Sequence, residues 1–147
     1  MIGPFRGEYR WLSNFWELTN PVVLDGEQYH TVEHAYQAAK YPEGSQARKR
    51  IQAVALAAHA KGFAKVLRPH RTDVVWDEVK LDIMYGLVRQ KFANDPVLAK
   101  LLLDTGQQVL VEVNTWHDTF WGVCNGVGDN HLGKIIMRVR EEQPWAL

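Results

Sequence analysis

Glu33, Gln37 and Lys40 stand four and three residues apart, the spacing that puts side chains on one face of an α-helix. A carboxylate, an amide and an amine aligned in this way can bind and process a polar ligand. The same types also suit a solvated surface, where most Glu and Lys residues lie, so the pattern by itself leaves both readings open. A second chemical stretch is Trp116-His117-Asp118-Thr119-Phe120-Trp121-Gly122, followed by Gly126-Val127-Gly128-Asp129-Asn130. Gly122, Gly126 and Gly128 allow the backbone to approach a ligand closely. This loop leads into a helix start, where free N–H groups and the helix dipole favour an anion such as phosphate. A tight loop with Asp129 or Asn130 as helix cap explains the same residues. The glycine spacing is neither a Walker A loop nor a dinucleotide fingerprint.

Other candidates carry less. Trp76 is either core or a face on which a base can stack. His30 and His34 are four apart, but His30 precedes the predicted helix cap and no HExxH or CxxC motif accompanies them, so no metal site is expected. Cys124 lacks an adjacent partner that would make it a nucleophile and reads as a buried or loop cysteine.

The elements that must hold these residues follow from local signals. Phe5 to Trp16 interleaves apolar and charged residues and predicts a strand, then a turn at Leu12-Ser13-Asn14. Asp25-Gly26 between Val22-Val23-Leu24 and Glu27-Gln28-Tyr29 predicts a hairpin. Thr31 is placed to cap a helix that carries Glu33, Gln37 and Lys40, with Val32, Ala35 and Ala39 toward the core and an end near Tyr41-Pro42. A helix is expected from Gln46 to about Ala60, broken at Gly62, with one further turn over Phe63 to Leu67. A basic connection Arg68-Pro69-His70-Arg71 and a long helix from about Asp73 to Ala93 come next. Asp95-Pro96 restarts a helix that ends at Gly106. Val109 to Val113 reads as the best strand in the chain, Thr115 to Asp129 as a loop, and a last helix runs from Asn130 to about Glu142.

The totals bound the class. The 147 residues suffice for one domain with a proper core, expected to span 1–147. Seventeen basic residues balance seventeen acidic ones, which argues against broad electrostatic binding to a nucleic-acid backbone and leaves only Arg48-Lys49-Arg50 and Arg68–Arg71 as local basic segments. Met1 to Phe5 lacks the basic and apolar regions of an export signal, no apolar run reaches membrane-spanning length, and the lone cysteine suits a reducing compartment. A cytoplasmic protein is the expectation.

Taken in order, Ser13-Asn14-Phe15, Asp25-Gly26, the run Thr31-Val32-Glu33-His34-Ala35-Tyr36-Gln37-Ala38-Ala39-Lys40, Lys91-Phe92, Leu102-Leu103-Asp104-Thr105-Gly106, Trp121-Gly122 and Gly128-Asp129-Asn130-His131-Leu132-Gly133-Lys134 resemble the NADAR family, which includes YbiA-like and RibX proteins. The resemblance extends from about Phe5 to Arg140. It implies an α+β fold, a compact, mainly helical single domain with a small sheet. It also implies an N-glycosidase without metal or organic cofactor. The implied substrates are ribosylamino-pyrimidine phosphates of riboflavin synthesis, or ADP-ribosylated guanine in nucleic acid. A binding module that senses ADP-ribose or a related nucleotide without cleaving it is the alternative.

Cleaving an N-glycoside builds positive charge at the anomeric carbon, which a nearby carboxylate stabilises while it activates water. Within the resemblance Glu33 is expected in that role, with Asp118 or Asp129 as second acid. Lys40 can instead attack the anomeric carbon of an opened sugar, provided burial keeps its amine partly neutral. Ser13, Asn14, Phe15, Gln37, Trp76, Trp121, Gly122, Gly126, Gly128 and Asn130 are expected to bind the substrate, with Asn14 and Gln37 reading hydroxyls or base edges, Trp76 stacking on the base, and Gly126, Gly128 and Asn130 holding the phosphate.

Overall fold

The computed structural model describes residues 1–67 and 70–144. The chain is α+β and mainly helical, and the described residues form two compact units, one of residues 14–91 and one of residues 1–13 with the described residues from 92 onward. No helix among the described residues is long and apolar enough to cross a membrane.

In the 14–91 unit, β1 (Val22–Leu24) and β2 (Glu27–Tyr29) form the predicted antiparallel hairpin, with Val22 opposite Tyr29. Asp25 and Gly26 turn it at positive φ (50° and 79°), as a two-residue hairpin loop requires. The free edge of β1 is closed by an amide: Val23 N–H donates to Gln90 Oε1 at 2.7 Å and Gln90 Nε2 donates to Val23 O at 2.9 Å.

Helix α1 (Val32–Ala38) begins where its cap predicts, the Thr31 hydroxyl accepting from His34 N–H at 3.0 Å. Val32, Ala35 and Ala39 are fully buried. The helix packs against α2 (Gln46–Ala53) and α3 (Ala57–Ala64). Those two replace the single helix expected to Ala60. The break at Val54 to Leu56 has a tertiary cause: His34 Nε2 bonds Val54 O at 2.9 Å and His30 Nε2 bonds Ala55 O at 3.1 Å. Gly62 lies inside α3 and breaks nothing; an interior glycine only weakens a helix. The long helix α4 (Trp76–Ala93) starts three residues later than expected, because Asp73 is engaged by Arg71. In the expected basic connection, Arg68 and Pro69 lie outside the described residues.

In the other unit, Gly7–Leu12 is a 3₁₀ helix and not the expected strand. Gly7 takes the turn at φ 59°, and Tyr9 N–H and Ser13 N–H reach back three residues to Arg6 and Arg10. Trp11 and Leu12 are buried side by side, Trp11 edge-on to Phe92 at 6.3 Å. Asp95 caps α5 (Pro96–Asp104) as predicted, its Oδ1 accepting from Val97 N–H at 2.9 Å. The expected strand from Val109 to Val113 is shorter and composite. Ile2 bridges Leu110 in parallel, while β3 (Val113–Asn114) pairs in parallel with β4 (Val123–Cys124), which lies inside the expected loop.

Helix α6 (His131–Glu141) closes this unit. Arg140 is buried and donates to Thr105 Oγ1 at 2.9 Å and Gln108 O at 2.8 Å. The helix approaches the chain at Leu110 so closely that a Cβ on Gly133 would lie 2.1 Å from Leu110 O and 2.4 Å from Asn130 Nδ2. Backbone cannot yield there without losing hydrogen bonds. Gly133→Ala is therefore expected to lower stability by about 3 kcal/mol, the upper end of overpacking effects, read as a fall in the urea midpoint. An unchanged midpoint would show that the approach is not tight.

Candidate functional site

The described residues of the expected catalytic face form one surface of the 14–91 unit. Glu33 is 7% exposed and Gln37 4%, so neither belongs to a solvated face. Gln37 Nε2 donates to Glu33 Oε1 at 2.8 Å, which fixes the amide's orientation, since a flipped amide would set oxygen against oxygen. Gln37 Oε1 is consequently left buried without a hydrogen-bond partner. Asn14 supports the helix start: its carbonyl accepts from Glu33 N–H at 3.1 Å, and its Nδ2 contacts Met84 Sδ at 3.5 Å.

Lys40 sits just past the end of α1, half-buried, with its ammonium 5.3 Å from the centre of the Tyr36 ring. Burial pushes its pKa below the ordinary 10.5; Glu33 opposes that shift and the like charges of Lys61 and Lys80 add to it. Trp76 lies 5.4 Å from Tyr36, ring centre to ring centre, and is half-buried. It is thus neither plain core nor a free platform.

Three ties hold this end of α1. Arg71 N–H donates to Lys40 O at 3.0 Å, and the Arg71 guanidinium, paired with Asp73 at 2.6 Å, also reaches Ala39 O at 3.3 Å. The pairing holds the exposed Asp73 carboxyl at a pKa of about 2. Tyr41 hydroxyl donates to Ala64 O at 2.6 Å, pinning α3. Arg48, itself buried, donates to Tyr41 O at 2.9 Å and pairs with Asp25 at 2.6 Å.

Together they shape a cavity of about 240 Å³ lined by Gln37, Lys40, Lys61, Ala64, Lys65 and His70. The cations of α3 were not singled out in the sequence. Lys61 lies in α3 and Lys65 is its C-cap residue, four positions on, and that spacing was the available signal. His70 stacks on Tyr41 with ring centres 5.0 Å apart.

His34, by contrast, is architectural. Both ring nitrogens are engaged, Nδ1 with Thr31 Oγ1 at 2.6 Å and Nε2 with Val54 O, and burial lowers its pKa below the ordinary 6.5. Phe15 is 43% exposed.

The remaining expected residues belong to the other unit. Ser13 ends the 3₁₀ helix, its N–H donating to Arg10 O. Asp118 Oδ1 accepts from Phe120 N–H at 3.2 Å and Trp121 N–H at 2.9 Å, so this carboxylate organises its own turn. Trp121 is half-buried, edge-on to Phe120 at 4.8 Å. Asp129 is exposed, 3.9 Å from His131 Nε2. Gly126 and Gly128 have φ of 77° and 152°. Gly122 is buried where a Cβ would lie 2.2 Å from Glu112 O.

Asn130 is buried at φ 54°, its Oδ1 accepting from Glu112 N–H at 3.0 Å and its Nδ2 donating to Leu110 O at 2.9 Å. The N–H groups of Asp129, Asn130, His131 and Leu132 donate to the carbonyls of Thr119, Gly122, Phe120 and Trp121 at 2.8–3.3 Å. These are the donors that a phosphate at the start of α6 would need, and backbone carbonyls already hold them.

The fold is that of a small α+β protein with a buried carboxylate–amide pair beside a lysine-lined cavity. The chain belongs to the NADAR family, whose domain it matches over residues 4–143. It is 38% identical to an N-glycosidase of Nostoc punctiforme, over 91% of this chain and 85% of that protein. It is 39% identical to the chloroplastic riboflavin biosynthesis protein PYRR of Zea mays, over 76% of this chain; the match spans 19% of that longer protein. The NMR structure of the Escherichia coli protein YbiA matches with a TM-score of 0.80 at 31% identity, covering 96% of this chain and 82% of that one. The relatives that carry the name N-glycosidase are, by that name, hydrolases acting on N-glycosyl bonds.

Proposed function

We propose that this chain is an N-glycosidase, acting as a single NADAR domain on a ribosylated, phosphate-bearing nucleobase-like compound. The observation that carries the reading is Glu33: a carboxylate at 7% exposure, oriented by Gln37 at 2.8 Å, one helical turn from a cavity rich in lysine. A buried, oriented carboxylate is suited to an oxocarbenium-like centre, because its negative charge is little screened there. Lys40, with its lowered pKa, supplies an amine within the same face. Asn14 and Trp76 complete the surroundings of the substrate. Asp118 and Asp129, expected as a second acid, belong to the other unit, where Asp118 is engaged in its own turn; the reading rests on Glu33.

Of the two substrate classes, the ribosylamino-pyrimidine phosphate is favoured, because relatives in Zea mays and Vibrio vulnificus are named riboflavin biosynthesis proteins. A cytoplasmic location fits such a metabolite. The test is a product assay on a ribosylamino-pyrimidine phosphate and an ADP-ribosylated guanine oligonucleotide in parallel. Release of sugar phosphate from the first is the expected result. Release of ADP-ribose from the second alone would move the substrate to modified nucleic acid. Thermal stabilisation by ADP-ribose with no product from either substrate would replace the enzyme by a sensor module.

A further inference from the structure

Among the described residues, those around the cavity carry three amines and an imidazole, Lys40, Lys61, Lys65 and His70, and no carboxylate. Such a lining favours an anion. An independent feature narrows the ligand further. Gln37 lines the cavity, is 4% exposed, and keeps one acceptor, Oε1, without a partner. A buried acceptor left unsatisfied costs about 1–3 kcal/mol, and only a donor relieves it. The fully ionised phosphate cannot serve; a sugar hydroxyl can. The ligand therefore brings an anion and a hydroxyl on one small skeleton.

Size agrees. At about 240 Å³ the cavity falls below the roughly 300–1,000 Å³ of pockets that enclose a drug-sized ligand. It suits a pentose phosphate, with anything attached at the anomeric carbon left beyond its mouth. At the start of α6, meanwhile, the N–H groups expected to take the phosphate are bonded to the carbonyls of residues 119–122.

We infer that this cavity is the phosphate end of the substrate site: it takes a phosphorylated pentose whose phosphate lies among Lys61, Lys65 and His70 and whose hydroxyl donates to Gln37 Oε1. The assignment rests on the N-glycosidase reading only in making that pentose part of the substrate. Tyr41, bonded to Ala64 O and stacked on His70, holds the anion-binding side chains against α1.

The test is calorimetric titration of ribose 5-phosphate, ribose and ADP-ribose into wild type, Lys61→Ala, Lys65→Ala, the double variant and Lys134→Ala. Alanine is the best helix former, so the α3 variants are expected to fold. Ribose 5-phosphate should bind in a salt-sensitive way and ribose at least about tenfold more weakly. Each single variant should weaken ribose 5-phosphate about tenfold and the double variant about a hundredfold, as expected for lost charge-assisted bonds. Lys134→Ala, on the exposed side of α6, should bind as wild type does.

Equal affinity in wild type and the double variant overturns the assignment. So does loss confined to Lys134→Ala, which returns the phosphate to the glycine loop, and so does binding of ADP-ribose without binding of ribose 5-phosphate. In turnover, at a pH where the rate of both proteins has levelled off, the double variant should raise KM and keep kcat. Binding lost in the double variant, with no N-glycoside cleaved by wild type, supports the subsite and removes only the enzymatic reading. Cleavage with unchanged KM in the double variant removes the subsite and leaves the enzyme.

Discussion

Glu33→Gln should lower kcat by about 10²- to 10⁴-fold, the range a positioned acid–base group supplies, while the fold persists. The substitution isolates charge from shape. Glu33 Oε1 accepts from Gln37 Nε2 at 2.8 Å, and glutamine offers an oxygen at the same place, so Gln37 keeps its orientation. Glu33→Ala would confuse the result, because it leaves Gln37 Nε2 without that acceptor. With the carboxylate replaced by an amide, position 33 no longer offers negative charge to a developing oxocarbenium, and water near it loses its base. Binding should change little, since the cavity lining of Gln37 and lysines is intact; KM is expected to stay within about threefold, the sign that a transition-state interaction was removed. Thermal melts should agree with wild type within about 4 °C, a shift worth about 1 kcal/mol at this size. A kcat within about threefold of wild type would remove Glu33 from the chemistry.

The face that carries Glu33 was legible because its determinants are local. The Thr31 cap bonds a residue three positions on, and the apolar stripe of Val32, Ala35 and Ala39 repeats at helical spacing. The Asp95-Pro96 start of α5 and the Asp25-Gly26 hairpin were legible for the same reason. The cavity was not. Lys61 and Lys65 approach Lys40 only because Tyr41 bonds Ala64 O and because α3 starts afresh after a break whose carbonyls His30 and His34 hold. Those bonds join residues more than twenty positions apart or in separate elements, where periodicity is silent.

The glycine loop shows the converse. Gly126, Gly128 and Asn130 are the residue types of an anion-binding helix start, but also of a loop that folds back on that start. Which applies depends on whether the carbonyls of residues 119–122 reach the N–H groups, and they do. The Asn130 amide looked like a cap; it is an 18- to 20-residue tie to Glu112 and Leu110. At Phe5 to Trp16, charged and apolar residues interleave in a way that fits strand alternation and a three-residue turn alike, and Gly7 at positive φ decided for the turn.

Lys40 supplies the second large effect, and its sign comes from its pKa. As a nucleophile the amine works only when neutral. In an opened N-glycoside, it would attack the anomeric carbon, displace the nucleobase amine as that amine takes up a proton, and form an imine; water then cleaves the imine, returning the amine and freeing the sugar aldehyde. Burial, with repulsion from Lys61 and Lys80, brings the pKa below 10.5. The rate should therefore rise about tenfold per pH unit up to that lowered pKa and then level off, short of where an ordinary lysine would.

Lys61→Ala removes one repelling charge and should move the rise to higher pH. Lys40→Met should abolish turnover, and borohydride should trap a sugar adduct on wild type and not on Lys40→Met. Stability supplies the control for folding. Between the lowered pKa and 10.5 the unfolded chain binds more protons than the folded one, so the burial of this amine weakens the fold fully below the lowered pKa and ceases to do so above 10.5. Lys40→Met is thus expected to melt no lower than wild type at neutral pH, and its loss of turnover cannot come from unfolding. Turnover by Lys40→Met near the wild-type rate, with no adduct trapped on wild type, would leave direct attack by water at Glu33 as the route.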